Sequence, residues 1–140
     1  MQSRLERIKE LQDRTKRFAV AVVRFFSRLA KTEAASVIGR QLLRVGTSVA
    51  ANYRAACRAR SAADFISKIS IVLEETDETL FWLELLVDAD IIESPLTSRL
   101  TAECHELLKI FSASLATACR SFSLVVWVRA IGSGLPATRS

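Results

Sequence analysis

The chain has 140 residues, half of them apolar, with only four Gly and two Pro and a formal net charge of +5. This length fits one domain with a sizeable core, and this composition excludes a disordered chain and favours an all-helical domain. The charge is uneven: residues 1–60 hold 14 basic and 4 acidic side chains (net +10), whereas residues 61–140 hold 6 and 11 (net −5). The asymmetry indicates a polyanion-binding surface, two halves that attract each other, or both.

Apolar residues recur at steps of three and four in four segments, which is the period of an α-helix. Short connections force sequential helices to run antiparallel, so residues 1–123 are predicted to fold as an up-down-up-down four-helix bundle. In the fourth helix the predicted core stripe runs from Cys104 through Leu115 to Phe122 and Val125. We predict helices at about residues 3–30, 33–58, 61–90 and 95–123, followed by a C-terminal tail at residues 124–140.

Arginines form a stripe on each of the first two predicted helices. The stripe on the first helix is interrupted by Glu10 and Ala21, and the stripe on the second spans about 27 Å at a rise of ~1.5 Å per residue. The guanidinium group forms bidentate, charge-assisted hydrogen bonds with phosphate, so both stripes are candidate nucleic-acid backbone contacts that do not read sequence. The candidates are Arg7, Arg14, Arg17, Arg24 and Arg28 on the first helix and Arg40, Arg44, Arg54 and Arg58 on the second.

The acidic third helix offers another use for these arginines. Nine acidic residues lie between Asp64 and Glu93, against one basic residue, Lys68. They could pair with the arginines of the second helix, within a subunit or between subunits, and exposed pairs of this kind contribute little to stability. Nucleic-acid binding and structural pairing therefore stay open as alternatives, and the first helix is the better candidate for a free basic surface.

Small residues dominate the second predicted helix, where Gly39 and Gly46 each weaken the helix by roughly 1 kcal/mol relative to Ala. They indicate close approach of another helix, either at a subunit interface or inside the bundle. Asn52 interrupts the apolar stripe of this helix. A polar side chain there needs a hydrogen-bond partner, and the contact is expected to fix the register of the helix.

Two serines indicate where the later helices begin. Ser61 with Asp64 three residues on is typical of a capping box at the start of the third helix. Ser94 followed by Pro95 is typical of an N-cap and a first-turn proline at the start of the fourth.

The residues needed for catalysis or metal binding are mostly missing. His105 is the single histidine, and no Glu lies three residues before it, as a di-iron bundle requires. Cys57, Cys104 and Cys119 lack Cys-x-x-Cys spacing, so we expect buried, reduced thiols rather than a zinc site. The chain has no phosphate-binding glycine loop, dinucleotide fingerprint or nucleophile elbow. We therefore expect no enzymatic activity, no metal or other cofactor and no small-molecule substrate.

The expected reduced thiols and the lack of a secretory signal together predict a cytosolic protein. Its N-terminus is charged and no cleavage site follows an apolar stretch, so we expect no secretory signal. The early apolar run Phe18–Leu29 is interrupted by Arg24 and is shorter than the ~20 residues of a membrane span. We expect no membrane contact.

Three segments resemble a known family: QLLRVGTSVAANYRAA at 41–56, RARSAADFISKISI at 58–71 and ETDETLFWLELL at 75–86. They are similar to the bacterial four helix bundle proteins, which include 23S rRNA-intervening sequence proteins and the accessory variability determinants (Avd) of diversity-generating retroelements. The family pattern joins a Ser-Val-x-Ala-Asn segment to a Ser-x-x-Asp/Glu-Phe helix start and a Glu-rich third helix. These segments contain the candidate structural or interface residues Gly46, Ser48, Asn52, Tyr53, Ser61, Asp64 and Phe65.

The resemblance implies four antiparallel helices that assemble as a homopentameric ring. In retroelement members it also implies a basic surface that binds nucleic acid and a partner reverse transcriptase. The arginines of the second helix fall where the family is basic. We therefore expect an oligomeric accessory protein that binds RNA or DNA and, by the resemblance, a reverse transcriptase. The alternative is a structural or protein-interaction scaffold whose arginines pair with the acidic third helix.

Overall fold

The computed structural model describes residues 1–133, in which all regular secondary structure is α-helical. The prediction of an all-α four-helix protein is therefore confirmed. The first three helices begin and end within two residues of the predicted bounds. The helices are α1 (Arg4–Arg28), α2 (Glu33–Ala56), α3 (Ala62–Asp88) and α4 (Pro95–Gly132).

Each helix is preceded by a Ser or Thr whose hydroxyl accepts a hydrogen bond from a backbone N–H of the first turn. Ser61 accepts from the N–H of Asp64 at 3.1 Å, and Ser94 accepts from the N–H three residues on at 3.2 Å. Both predicted helix starts are therefore correct, but Ser61 and Asp64 form only half of a capping box, because the Asp64 carboxylate does not accept from the Ser61 N–H. The Asp64 carboxylate instead accepts from the Arg60 N–H and from Lys68, and the Lys68 hydrogen bond is the main reason that the pKa of Asp64 is lowered.

Small residues of α2 determine how closely α1 and α2 approach each other. Gly39 lies against Leu29, just past the end of α1, whereas Gly46 lies against Val22, nearer its middle. The contact later in α2 is made to the residue earlier in α1, so the two helices are antiparallel. Both glycines are buried, so the close approach predicted from the sequence occurs inside the bundle.

The helices contact one another unequally. The α1–α2, α2–α3 and α3–α4 interfaces are extensive, whereas the α1–α4 interface is much smaller. The bundle is therefore open along the seam between its first and last helices.

The core is filled by large apolar side chains from all four helices. Phe25, Leu42, Leu83 and Phe111 are among the largest side chains that are fully buried, and each comes from a different helix. Three threonines in this interior, at positions 15, 76 and 79, donate hydrogen bonds to carbonyls of their own helix, which satisfies their hydroxyls without a partner across the bundle.

The predicted core stripe of α4 is right at Cys104 and wrong at Phe122 and Val125. Cys104 is fully buried, but Phe122 and Val125 are 38% and 49% exposed. The apolar period continues along α4, but past Ser121 each large apolar side chain is at least 38% exposed, so no neighbouring helix covers it. A residue is buried in the core only where it belongs to the apolar stripe and a neighbouring helix packs against that stripe.

The predicted end of the fourth helix at residue 123 is also wrong, because α4 continues to Gly132. Neither Gly nor Pro interrupts residues 124–131, so the helix can continue and satisfy its own backbone hydrogen bonds. The expectation of three buried thiols is wrong at Cys119, which is exposed on α4. Cys104 is buried and Cys57 is half-buried. Residues 134–140 of the predicted tail lie outside the described residues.

Candidate nucleic-acid interface

Most of the arginine stripe of α1 faces the open seam between α1 and α4. Arg17, Arg24 and Arg28 line a groove of about 700 Å³ there, and its floor is apolar. From Arg17 to Arg28 the groove is about 16 Å long, a length over which one strand of B-DNA carries about five phosphates. The groove is lined by Asp13, Lys16, Arg17, Val20, Ala21, Arg24 and Arg28 of α1 and by Leu96 of α4.

The groove carries a net positive charge, and its arginines form no ion pairs among the described residues. Arg17, Arg24 and Arg28 are exposed, and none has an ion-pair partner within residues 1–133. Asp13 is the one carboxylate in the lining, and it accepts a hydrogen bond from Lys9 at 3.0 Å. The lining therefore carries four basic groups against one acid that is already paired.

Arg14, by contrast, is used within the fold. Its Nε and Nη2 atoms donate to the two carboxylate oxygens of Glu103 in α4, at 2.6 and 3.1 Å. This hydrogen bond is the main reason that the pKa of the Arg14 guanidinium is raised. Arg14 therefore closes the seam beside the groove. Arg7, the remaining candidate on α1, is exposed and lines a different groove, at the end of the bundle where α1 begins.

The arginines of α2 do not form one continuous line. Arg44 donates to Glu78 of α3 at 3.1 Å, which is a pair of the kind that the structural alternative requires. Arg58 lies past the end of α2, in the connection to α3, so the prediction of four arginines on one helix is wrong at this residue. Arg40 and Arg54 are exposed and have no ion-pair partner in the part of the chain that the structure describes.

The candidate structural residues all lie within the bundle or its connections. Asn52 donates to Glu75 of α3 at 2.7 Å, the contact expected of a residue that fixes register. Tyr53 is buried with its ring 5.5 Å from that of Phe111, and burial is the main reason that the pKa of its phenol is raised. Phe65 packs against the core. Gly46 is buried, Ser48 and Asp64 are half-buried, and Ser61 is exposed.

The seam includes Lys16, Leu96 and Glu103, none of which was predicted to take part in it. Lys16 lies four residues before Val20 and eight before Arg24, and this spacing could have placed it on the groove. Leu96 and Glu103 lie on α4, and nothing in the local sequence indicates that they face α1. His105 is exposed, and within the described range no three His, Cys, Asp or Glu side chains are close enough to hold a metal ion.

Comparisons with known proteins agree with this fold. The sequence matches the family model described as 23S rRNA-intervening sequence protein over residues 9–113. It is also similar to a solved structure of a Bacteroides thetaiotaomicron protein of unknown function from the S23 ribosomal protein family. The two share 36% identity and a TM-score of 0.69, over 74% of this chain and 96% of the other. No curated protein matches the sequence. By the match over residues 9–113, this chain belongs to the 23S rRNA-intervening sequence protein family.

Proposed function

We propose that this protein is a non-enzymatic accessory protein that binds nucleic acid through the phosphate backbone, along the groove between α1 and α4. The observation that carries the proposal is that Arg17, Arg24 and Arg28 line one open groove, with no ion-pair partner among the described residues. Arginines placed for structural pairing would lie beside carboxylates, as Arg14 and Arg44 do. Contacts to phosphate alone predict binding with little dependence on base sequence.

Assembly would strengthen this binding. The family resemblance implies a homopentamer, and a ring of five copies would present five such grooves to one nucleic acid. Linked sites bind more tightly than a single site when the ligand spans them. The resemblance also implies a reverse transcriptase as protein partner, and structured RNA is the ligand to test first.

The test is light scattering and RNA binding on the purified protein at low and high salt. We expect a mass near that of five subunits and reversible RNA binding that weakens with salt. The log–log slope should be about −3 for each groove that the RNA occupies, because each phosphate contact contributes roughly −0.7 to −0.9 and one groove offers four basic groups. A stable oligomer that does not bind RNA at low salt would contradict the proposal.

A matched pair of charge reversals localises the binding. Arg24→Glu should weaken RNA binding by about tenfold or more, because it replaces a phosphate contact with repulsion. Lys109→Glu makes the same change of charge on an exposed α4 residue whose partner is Glu106, outside the groove, and should leave RNA binding nearly unchanged. Circular dichroism of both variants checks that the bundle is intact. Equal losses would mean that net charge, and not this groove, determines binding.

The second candidate function is a structural or protein-interaction scaffold, and the Arg44–Glu78 contact favours it. The double variant Arg40→Glu, Arg44→Glu separates the two functions. If the oligomer stays intact and RNA binding is lost, α2 is part of the nucleic-acid-binding surface. Dissociation of the oligomer with retained helicity would place these arginines at a subunit interface.

A further inference from the structure

The last part of α4 projects beyond the bundle. Ser121 is the last α4 residue that lines a groove of about 920 Å³ formed with the start of α1 and the α2–α3 connection. The next ten residues are helical, and we call Phe122–Ile131 the α4 extension. Its large apolar side chains are 38% to 61% exposed. The family match ends at residue 113, so the α4 extension lies outside the matched core.

Large apolar side chains occur on all sides of the α4 extension. With 3.6 residues per turn, Leu124 and Val128 lie on one side of the helix and Phe122 and Val126 on the opposite side, with Trp127 on a flank. A packed partner helix would cover one side and leave the other in water. A helix that is apolar all round is the kind that is surrounded by an apolar medium.

Arginines surround the base of the α4 extension. Arg4 and Arg7 line the same groove as Ser121, and Arg58 and Arg60 flank Ala59, which also lines it. Arg120 immediately precedes this end of the bundle on α4, and all five side chains are exposed. We call this set the arginine collar: Arg4, Arg7, Arg58, Arg60 and Arg120.

Negative charge near the collar is sparse, because three carboxylates at the starts of α1 and α3 stand against the five arginines. From residue 107 to residue 133, α4 has no acidic residue. At the start of α1 and α3, three carboxylates accept hydrogen bonds from neighbours: Glu6 from Ser3, Glu10 from Gln2 and Asp64 from Lys68. The acidic connection between α3 and α4, residues 89–94, lies at the opposite end of the bundle, since α3 runs away from the collar.

We propose that the α4 extension inserts into one leaflet of an anionic lipid membrane, with the arginine collar on the lipid phosphates. Burial of apolar side chains and attraction of basic side chains to anionic headgroups both stabilise a protein segment at a membrane. The ten residues are about 15 Å long, roughly half of the ~30 Å hydrocarbon core, so they enter one leaflet and do not cross the bilayer. The proposal does not rest on nucleic-acid binding.

Arg129 is the one charge within the α4 extension. It lies seven residues, about 10 Å, beyond Phe122. Helical side chains point back toward the helix N-terminus, and that direction leads to the headgroups here. The long aliphatic stem of Arg129 can therefore lie among the lipid chains while its guanidinium group stays near the phosphates.

Two further observations bear on the membrane. Among residues 1–133, α4 is the one helix long and apolar enough to cross a membrane, a property that the core helices of soluble proteins share. Only 6% of its apolar window is buried, however, so α4 is not such a core helix there. The expectation of no membrane contact rested on Phe18–Leu29, where Phe18, Phe25 and Leu29 are indeed buried in the bundle.

The test is co-sedimentation of the full chain with vesicles of phosphatidylcholine alone or mixed with phosphatidylglycerol. We expect binding to the mixed vesicles that is at least about tenfold tighter, since each arginine near an anionic surface contributes about fivefold. Trp127→Glu should reduce this binding by more than about tenfold. Phe81→Glu is the matched control, because Phe81 is 51% exposed on α3 and Trp127 is 54% exposed. Arg58→Glu with Arg60→Glu should remove the preference for anionic lipid.

Fluorescence reports the insertion directly. In a Trp82→Phe background Trp127 is the remaining tryptophan, and its emission should shift to shorter wavelength when mixed vesicles are added. The absence of vesicle binding, or equal losses in Trp127→Glu and Phe81→Glu, would overturn the proposal. A blue-shifted Trp127 without lipid, with a lower mass for Trp127→Glu in light scattering, would identify the α4 extension as a contact between copies of this chain and would also overturn it. RNA binding should be unchanged in Trp127→Glu, which separates this outcome from that of the proposed function.

Discussion

Gly46 of α2 lies so close to Val22 of α1 that a Cβ atom at position 46 would come within 2.9 Å of the Val22 Cγ1 atom. Val22 is fully buried, and its β-branched side chain is restricted in χ1, so it cannot easily turn away. At Gly39 a Cβ would be 2.8 Å from Leu29 Cδ1 and 3.1 Å from Phe26 Cδ2, but the Leu29 atom is the far end of a flexible side chain and Phe26 is half-buried. The two glycines therefore make equally close contacts that differ in how easily the neighbour can move.

We expect Gly46→Ala to lower the free energy of unfolding by about 1–3 kcal/mol, because overpacking outweighs the gain in helix propensity. Gly39→Ala gains the same propensity and should cost less, since Leu29 can adopt another rotamer. Gly132→Ala meets no atom within 4 Å and serves as the control, with an expected gain of up to about 1 kcal/mol. Urea unfolding measures all three. The explanation fails if Gly39→Ala costs as much as Gly46→Ala.

The two interhelical ion pairs should differ in strength. Arg14 and Glu103 form a bidentate pair with side chains 34% and 29% exposed, whereas Arg44 and Glu78 form a single contact at 58% and 39%. Better geometry and less solvent predict a coupling of about 1 kcal/mol for the first pair and below about 0.5 kcal/mol for the second. Double-mutant cycles with Gln at each position measure both couplings. A larger coupling at Arg44–Glu78 would favour the structural alternative, in which the α2 arginines pair with the acidic third helix.

Periodicity predicted α1, α2 and α3 well, because each has neighbours along its full length and its apolar stripe becomes core. The same period in α4 misplaced Phe122 and Val125, because periodicity carries no information on where the neighbouring helices end. Likewise, the spacing of Arg14, Arg17 and Arg24 placed them on one stripe but did not show which of these arginines form ion pairs. The partner of Arg14, Glu103, is 89 residues away in sequence. A tertiary contact at that separation has no local signature.

The hydrogen bond from Asn52 to Glu75 predicts a pH-dependent variant. Asn52→Asp places a second carboxylate against Glu75, at a site where the amide nitrogen is now 2.7 Å from the carboxylate oxygen. We expect a loss of about 1–3 kcal/mol at neutral pH, through a lost hydrogen bond and like-charge repulsion.

The loss should shrink as the solution becomes acidic. Two adjacent carboxylates share a proton, which raises one folded-state pKa above its unfolded value. Stability from that proton is present below the unfolded pKa and is lost as pH rises through the folded pKa. The gap between the free energies of unfolding of the variant and the wild type should therefore narrow toward pH ~4. The double variant Asn52→Asp, Glu75→Gln restores a donor and an acceptor and is the control. A gap that is constant from pH 7 to 4 would contradict this account.

The three cysteines should react with a thiol reagent in the order of their exposure. Cys119 is exposed, Cys57 half-buried and Cys104 buried. The native protein should therefore label rapidly at Cys119, more slowly at Cys57 and at Cys104 only when it unfolds. Mass spectrometry of the labelled peptides over time measures the order, with Cys119→Ser as the control that removes the fast phase. Rapid native labelling of Cys104 would mean that the α3–α4 interface opens without global unfolding.

Cys104 also predicts a loss of stability at alkaline pH. Burial, with a smaller contribution from Glu103 and Glu84, raises the pKa of the Cys104 thiol to about 12. A thiol in the unfolded chain ionises near pH ~8.5, so the stabilisation is complete below that pH and is lost as pH rises toward the folded-state pKa. Within this window the wild type should lose up to about 1.4 kcal/mol per pH unit more than Cys104→Ala, because the other titrating groups are common to both. Urea unfolding at pH 8 and pH 10 measures the difference. If the free energies of unfolding of the two proteins change equally with pH, the Cys104 thiolate is tolerated in the folded bundle.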